Sequence, residues 1–195
     1  MVRLIKGKRI MQLKIAELSD IDGVLNHQYR HQVVSLNEEN RKERFVTTPF
    51  TIEQLESLII KESGLFIARH NGNVVAYVMA ASWQFWSDWP MFAYMINELP
   101  KLKHLGIQLN VENSYLYGPI LIDKRYRGSG LLESIFDFAR EKMSKRYPIL
   151  VTFVNKNNSR SYNAHTRKLG LKVIHEFEFN YKSYYQMAYD TSIKV

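Results

Sequence analysis

Residues 115–145 constrain the fold of this chain more than any other segment. The segment begins with a predicted strand, residues 115–123, in which residues 120–122 are all apolar, as is typical of a buried central strand. A short turn that contains Gly128 and Gly130 follows, and after it comes a helix pattern with one apolar face. A strand, a tight turn and a helix in this order indicate an α/β (α+β) fold.

The turn has the composition of an anion-binding site. Gly128 and Gly130 allow backbone N–H groups to approach a ligand closely. The helix that follows begins with unpaired N–H groups and the positive end of its dipole. Arg125 and Arg127 add positive charge. These features predict a site for a pyrophosphate, and the alternative is a solvated basic turn in which the glycines only bend the chain.

The other predicted elements join the strand, turn and helix of residues 115–145 in a single domain. Asn71-Gly72 lies between two apolar runs and predicts a hairpin with a type I′ turn. Thr51 predicts the start of a helix, and residues 35–50 are predicted to form a loop. The full order is β-α-α-β-β-insert-β-α-β-α-β-β, which predicts a mixed, mostly antiparallel sheet flanked by helices.

Amino-acid composition and net charge exclude several classes of site and indicate where an anion would bind. The chain has 195 residues, no cysteine and a net charge of +8, so a disulfide framework, a thiolate metal site and a cysteine nucleophile are excluded. Residues 1–10 carry four bases and no acid and are predicted to be a basic tail before a single domain at 11–195. Residues 124–172 carry twelve bases and three acids. The excess charge therefore coincides with the predicted anion site, and we expect a cytoplasmic protein with no membrane partner.

The motifs around the turn resemble the acetyl-CoA-binding core of the GNAT superfamily of N-acetyltransferases. That family has an [RQ]-x-x-G-x-[GA] loop after its fourth strand, which Arg125, Gly128 and Gly130 match. A helix, a fifth strand and a second helix follow in the family. The second helix carries an Asn, a small residue and K-x-G-[FL], which residues 158–161 and 168–171 match here.

The resemblance covers residues 115–175 and implies acetyl-CoA as co-substrate, with direct transfer of acetyl to a primary amine of a small molecule or peptide. It implies that the backbone of residues 120–122 pairs with the pantetheine arm and that the amides of residues 127–131 hold the pyrophosphate. The implied cofactor-binding residues are Ile120, Leu121, Ile122, Arg125, Arg127, Gly128, Ser129, Gly130, Leu131, Asn158 and Ser161.

Three residues are candidates for catalysis. The alternative for the two tyrosines is packing in the core, and the alternative for the histidine is packing on its helix, with a local hydrogen bond or a contact with the cofactor. His165 is a candidate acid or base because the ordinary pKa of imidazole, about 6.5, suits either role. Tyr162 is a candidate donor to the leaving thiolate, and Tyr117 shares a strand face with Tyr115, a candidate substrate contact. Many family members carry a Tyr four residues before the final Gly of the motif, where this chain has Thr166, and the helix here is one residue longer.

An aromatic-rich insert, residues 83–113, separates the third and fourth predicted strands. We expect Trp83 and Trp86 to form a wall of the acceptor pocket, and the alternatives are a homodimer contact and a small satellite core. His31 is expected to face the substrate; it lies one helical turn after His27, but no third ligand accompanies the pair, so no metal site is predicted. The alternatives to an enzyme are a CoA-binding domain without chemistry and, last, a basic nucleic-acid-binding module.

Overall fold

The computed structural model of the chain divides into two compact units. The first unit comprises Met1–Ala80 and Gly118–Ala139, and the second comprises Ala81–Tyr117 and Arg140–Val195. The structure describes residues 2–6, 9–33 and 50–195, with side chains described for 11–31 and 50–195. The predicted loop at residues 35–50 lies outside the described residues, except for its last position.

The first unit is built on antiparallel strands. Their order is β1 (Val2–Lys6), β2 (Arg9–Ile15), β3 (Leu65–His70), β4 (Asn73–Ala81) and then the second half of β7 (Ser114–Ile122). Its helices are α1 (Ile21–Val33), α2 (Ile52–Ser57) and most of α5 (Leu131–Met143). Strand β1 lies in the segment predicted to be a tail, and it pairs antiparallel with β2.

Two local predictions in this unit are confirmed. Asn71 and Gly72, at the turn between β3 and β4, have φ angles of 50° and 78°, as a type I′ turn requires. At the start of α2, the Thr51 hydroxyl accepts a hydrogen bond from the Gln54 N–H at 3.3 Å. The Gln54 side chain accepts one in return from the Thr51 N–H at 3.0 Å, which completes a capping box.

Helices cover both faces of the first unit's strands. Tyr77 of β4 contacts His27 of α1, with 6.0 Å between the ring centroids. Phe66 of β3 contacts Phe138 of α5, also at 6.0 Å. Tyr77 pairs with Ile67 in the ladder, so its side chain points away from the face that carries Phe66. Helices α1 and α5 therefore lie on opposite faces.

The second unit combines parallel and antiparallel pairing. Its strands follow the order β7, β8 (Ile149–Asn155), β10 (Lys182–Asp190) and β9 (Lys172–Phe179). Strands β7 and β8 are parallel, whereas β10 pairs antiparallel with both β8 and β9. The unit also contains α3 (Trp83–Trp86), α4 (Pro90–Glu98), the short hairpin of β5 (Lys103–His104) and β6 (Ile107–Gln108), and α6 (Ser159–Asn163). The prediction of a mixed, mostly antiparallel α/β fold is confirmed.

The two halves of β7 differ in burial. The ladder between β7 and β8 ends at Leu116 opposite Val151, and residues 114–117 are buried. Residues 118–122 are only half-buried. The prediction that residues 120–122 are fully buried is therefore wrong, because this part of the strand has no described ladder partner on the β8 side.

The insert and α6 lie on opposite faces of the second unit's strands. Phe92 of α4 contacts Phe153 of β8 at 5.8 Å between ring centroids, whereas Tyr162 of α6 contacts Tyr185 of β10 at 4.8 Å. Phe153 pairs with Gln186 in the ladder, so Phe153 and Tyr185 point to opposite faces.

Candidate functional site

The turn between β7 and α5 forms an open cradle of backbone atoms, which we call the glycine cradle (residues 125–131). Gly128 and Gly130 have φ angles of 74° and 77°, a region that favours glycine. A Cβ atom built on Gly128 would meet no atom within 4 Å, so the space above the backbone is open. Gly130 accepts a hydrogen bond from Ser134 N–H at 3.2 Å, which begins α5. The first N–H groups of α5 thus face the cradle without a partner inside the helix.

The side chains of the cradle bond back to its own framework. The Ser129 hydroxyl donates to the Tyr126 carbonyl at 2.7 Å, and Arg127 Nε donates to the Ile122 carbonyl at 3.3 Å. Buried Tyr126 places its hydroxyl 2.8 Å from His70 Nδ1 on β3. Sequence reasoning missed this anchor, because the two residues lie 56 positions apart. The cradle therefore presents backbone rather than side chains to a ligand.

Arg125 is held by an acidic neighbour. Its Nη2 lies 2.7 Å from Asp123 Oδ2, and its Nε lies 3.1 Å from Asp123 Oδ1. The Arg125 guanidinium holds the pKa of Asp123 down to about 2. Part of the positive charge predicted at the turn is thus neutralised by the residue that follows β7.

In the second unit, α6 and the turn that follows it form the second candidate region. We call it the catalytic helix (residues 158–168) because it carries Tyr162 and His165, two candidates for catalysis. Buried Asn158 accepts a hydrogen bond from Ser161 N–H at 3.0 Å and so caps α6. A π-helical turn, Ala164–Lys168, follows directly, and Leu169 N–H donates to Ala164 five residues back. The additional residue seen in the motif spacing is accommodated in this π turn.

His165 lies buried on the π turn. Its Nδ1 is 2.8 Å from the Ser161 carbonyl; a carbonyl only accepts, so Nδ1 carries the hydrogen and Nε2 keeps a lone pair. Burial lowers the pKa of His165, which favours the neutral imidazole. The Tyr117 ring meets it edge to face at 6.2 Å. The structure thus brings His165 and Tyr117 together, while Tyr162 packs on Tyr185.

The two tyrosines in the first half of β7 are fully buried. Burial raises the pKa of the Tyr115 and Tyr117 phenols well above their ordinary value, so both hold their protons at neutral pH. The Tyr115 hydroxyl has no hydrogen-bond partner among the residues described, and its ring packs 5.7 Å from that of Tyr147.

The predicted aromatic wall is arranged differently from expectation. Trp83 and Trp86 are fully buried, and Trp83 Nε1 donates to Ser114 at 3.0 Å. The half-exposed rings of the insert are those of Phe85, Trp89, Phe92 and Tyr94. A groove of about 440 Å³ lies beside Trp83. Its other lining residues are Ser82, Gln84, Ser87, Ile96, Val111, Glu112 and Tyr147.

His31 is half-buried on α1, with Nδ1 2.9 Å from the His27 carbonyl and its ring 4.4 Å from that of His27. Within the part of the chain that the structure describes, no three His, Cys, Asp or Glu residues are grouped to hold a metal ion. No helix in the same part is long and apolar enough to cross a membrane.

Comparisons with known proteins agree with this geometry. The model of a family described as the acetyltransferase (GNAT) family matches residues 30–171. No curated protein matches the chain. Among solved structures, the chain resembles an acetyltransferase of the GNAT family from Listeria monocytogenes with a TM-score of 0.65 and 11% identity, which covers 97% of this chain and 99% of the other.

Two further structures are similar. One is yncA, a putative acetyltransferase from Salmonella typhimurium with its cofactor acetyl-CoA (TM-score 0.61, 12% identity, 93% of this chain and 94% of that one). The other is the ribosomal-protein-S18-alanine N-acetyltransferase from Escherichia coli (TM-score 0.60, 14% identity, 94% of this chain and 95% of that one).

Proposed function

Because the chain belongs to the GNAT acetyltransferase family, we propose that it is an acetyl-CoA-dependent N-acetyltransferase. It transfers acetyl to a primary amine of a small molecule or peptide by direct attack, without a covalent enzyme intermediate. The observation that carries this proposal is the glycine cradle, where Gly128 at φ 74° leaves open space above its backbone at the start of α5.

The residues of the cradle fit a pyrophosphate. The phosphate oxygens of CoA need several N–H donors, and the amides of residues 127–131 supply them together with the helix dipole. The half-buried backbone of residues 120–122 would pair with the pantetheine arm. Asn158 and Ser161 are the proposed contacts from the catalytic helix; the Asn158 side chain also caps α6, and the Ser161 hydroxyl lies 3.3 Å from His165 Nδ1.

His165 is proposed to take the proton of the attacking amine. Acetyl-CoA supplies a thioester carbonyl; the amine nitrogen forms a bond to its carbon, and the C–S bond breaks. The nitrogen becomes acidic once it has attacked, so a neutral imidazole with a lone pair on Nε2 accepts its proton. Tyr162 is proposed to supply a proton to the thiolate, although a thiol with a pKa of about 8.5 also leaves unaided. Buried Tyr117, whose phenol holds its proton, is proposed to line the reaction site beside His165.

Calorimetry and a thiol-release assay test this proposal. We expect saturable binding of acetyl-CoA at micromolar to millimolar concentration and release of free CoA thiol with at least one amine from a broad panel. Absence of acetyl-CoA binding at millimolar ligand overturns the proposal.

A second candidate function is a CoA-binding domain without chemistry. It is favoured by Thr166, which stands where many family members have a tyrosine and whose hydroxyl bonds to the Tyr162 carbonyl at 2.8 Å. Acetyl-CoA binding without thiol release from any amine supports this candidate over the enzyme.

A further inference from the structure

One buried side chain joins the glycine cradle to a strand of the first unit. Tyr126 is 8% exposed, and its hydroxyl lies 2.8 Å from Nδ1 of His70, the last residue of β3. The two rings meet edge to face, with 5.6 Å between their centroids. His70 pairs with Asn73 of β4 in the ladder. The hydroxyl is therefore held by a residue of the sheet and not by a residue of a loop.

The same tyrosine contacts its own turn at three further points. Its backbone carbonyl accepts a hydrogen bond from the Ser129 hydroxyl at 2.7 Å, and its backbone N–H donates to the Asp123 carbonyl at 2.9 Å. The Arg125 guanidinium carbon lies 5.9 Å from the centre of the Tyr126 ring, a distance at which a cation and an aromatic ring attract each other. A displacement of Tyr126 would thus move both Arg125 and Ser129.

The glycines of the cradle make such a fixed point valuable. Gly128 and Gly130 lie on either side of Ser129, and glycine loses more conformational freedom than any other residue when a loop is ordered. A loop that must be ordered during binding has a lower affinity, because Kd rises as the fraction of molecules already in the binding conformation falls. A contact that orders the loop beforehand therefore strengthens binding without touching the ligand.

We propose that His70 is a positioning residue for the cofactor, which acts through Tyr126 and keeps the glycine cradle in the conformation that binds the pyrophosphate of acetyl-CoA. The inference rests on the proposed function and extends it to a strand outside the predicted cofactor-binding segment. The hydroxyl can donate to Nδ1 or accept from it, so the bond forms with either tautomer of the imidazole.

Conservative variants of the two partners test the assignment. Tyr126→Phe keeps the ring and removes only the hydroxyl, and His70→Leu removes the ring nitrogens. We expect each variant to raise the Kd for acetyl-CoA, measured by calorimetry, about five- to tenfold, as for the loss of one hydrogen bond. His70→Asn should bind more tightly than His70→Leu, because the asparagine amide places a hydrogen-bonding atom where Nδ1 stood.

The double variant separates one shared contact from two independent ones. Since both substitutions remove the same bond, His70→Leu combined with Tyr126→Phe should raise the Kd no more than about twofold above either single variant. For an amine that the thiol-release assay identifies, kcat at saturating acetyl-CoA should stay within about twofold of wild type while KM for acetyl-CoA rises. The effect is then on cofactor binding and not on the rate.

Thr51→Ala is the control for a loss of stability alone. It removes the hydroxyl that caps α2 in the same unit, so it should lower the Tm. The Kd for acetyl-CoA should nevertheless stay within about twofold of wild type, because α2 has no part in the cradle.

Several outcomes overturn the assignment. A Kd within twofold of wild type in both single variants makes the pair purely structural, whatever happens to the Tm. An equal rise of the Kd in Thr51→Ala attributes the effect to stability, and multiplied effects in the double variant exclude a shared contact. Equal affinities of His70→Asn and His70→Leu also overturn it. Failure of the proposed function is distinguishable, since it shows as wild-type protein that does not bind acetyl-CoA.

Discussion

The glycine cradle and the catalytic helix present different kinds of functional group to a ligand. The cradle offers backbone N–H groups, while its side chains Ser129 and Arg127 bond back to nearby carbonyls. The catalytic helix offers side chains, and its backbone widens into a π turn that carries buried His165. Changes in the cradle should therefore act on cofactor affinity, whereas changes in the catalytic helix should act on the rate.

The largest expected effect is that of Gly128→Asp on cofactor binding. The substitution places a carboxylate in the open space above the cradle, where it repels the pyrophosphate, and it forces a non-glycine residue to φ 74°. We expect the Kd for acetyl-CoA, measured by calorimetry, to rise at least about 100-fold, or roughly 3 kcal/mol.

Gly72→Asp is the matched control. Gly72 has φ 78°, and a Cβ atom on it also meets nothing within 4 Å, but it lies in the turn between β3 and β4. The backbone strain is therefore similar, and acetyl-CoA binding should stay within about twofold of wild type. A comparable loss of binding in both variants would show that strain, and not the cradle, explains the effect.

The next effect tests the catalytic helix through His165→Gln. General acid–base catalysis contributes about 10²- to 10⁴-fold to enzyme rates, so kcat should fall at least about 100-fold while the Kd for acetyl-CoA changes little. Steady-state kinetics and calorimetry measure the two quantities. His175→Gln on β9 is the control and should preserve kcat. If the Kd for acetyl-CoA rose while kcat stayed unchanged, His165 would contribute to cofactor binding, as the cradle does, and not to the rate.

The features that could be predicted from sequence depend on short stretches of chain. Local sequence alone determines three features: the glycine turn at Gly128 and Gly130, the Asn71-Gly72 turn and the Thr51 cap. Each depends on residues only a few positions away, so a short sequence pattern is enough to predict it. The burial of the insert's tryptophans and the partial exposure of residues 120–122 depend on which elements cover them.

The contacts that were missed join distant positions. Tyr126 bonds to His70, and His27 meets Tyr77. No local pattern marks either pair, because each partner alone has the composition of an ordinary helix, strand or turn residue. The additional residue in the catalytic helix was visible in the spacing, but its π-helical form depends on the folded backbone.

A smaller effect concerns Arg125 of the cradle. Because the Arg125 guanidinium is paired with the Asp123 carboxylate, part of its positive charge is neutralised before a phosphate arrives. We expect Arg125→Gln to raise the Kd for acetyl-CoA only about twofold at low salt, with the effect shrinking at high salt. Calorimetry at two ionic strengths measures this. A larger effect of Arg125→Gln would mean that the ion pair opens when the cofactor binds.

The smallest expected effect is a pH dependence of stability that differs between the two regions. The lowered pKa of His165 disfavours its protonated form in the folded state, so its contribution to stability is full above 6.5 and is lost as pH falls below that value. The pKa of Asp123 is lowered from 3.8 to about 2 by Arg125, so its contribution is full above 3.8 and is lost as pH falls towards 2.

Thermal melts between pH 8 and pH 2.5 separate these two windows. His165→Gln should flatten the decrease in Tm that begins near pH 6.5. Asp123→Asn should lower Tm by about 1–3 °C at pH 6, as for an ion pair with an exposed partner, and the difference should shrink as the pH falls towards 2.5. If Asp123→Asn instead changed the slope of Tm against pH near pH 6.5, the Asp123 carboxylate would be coupled to a histidine. The next residue to substitute would be His31, which also lowers the pKa of Asp123.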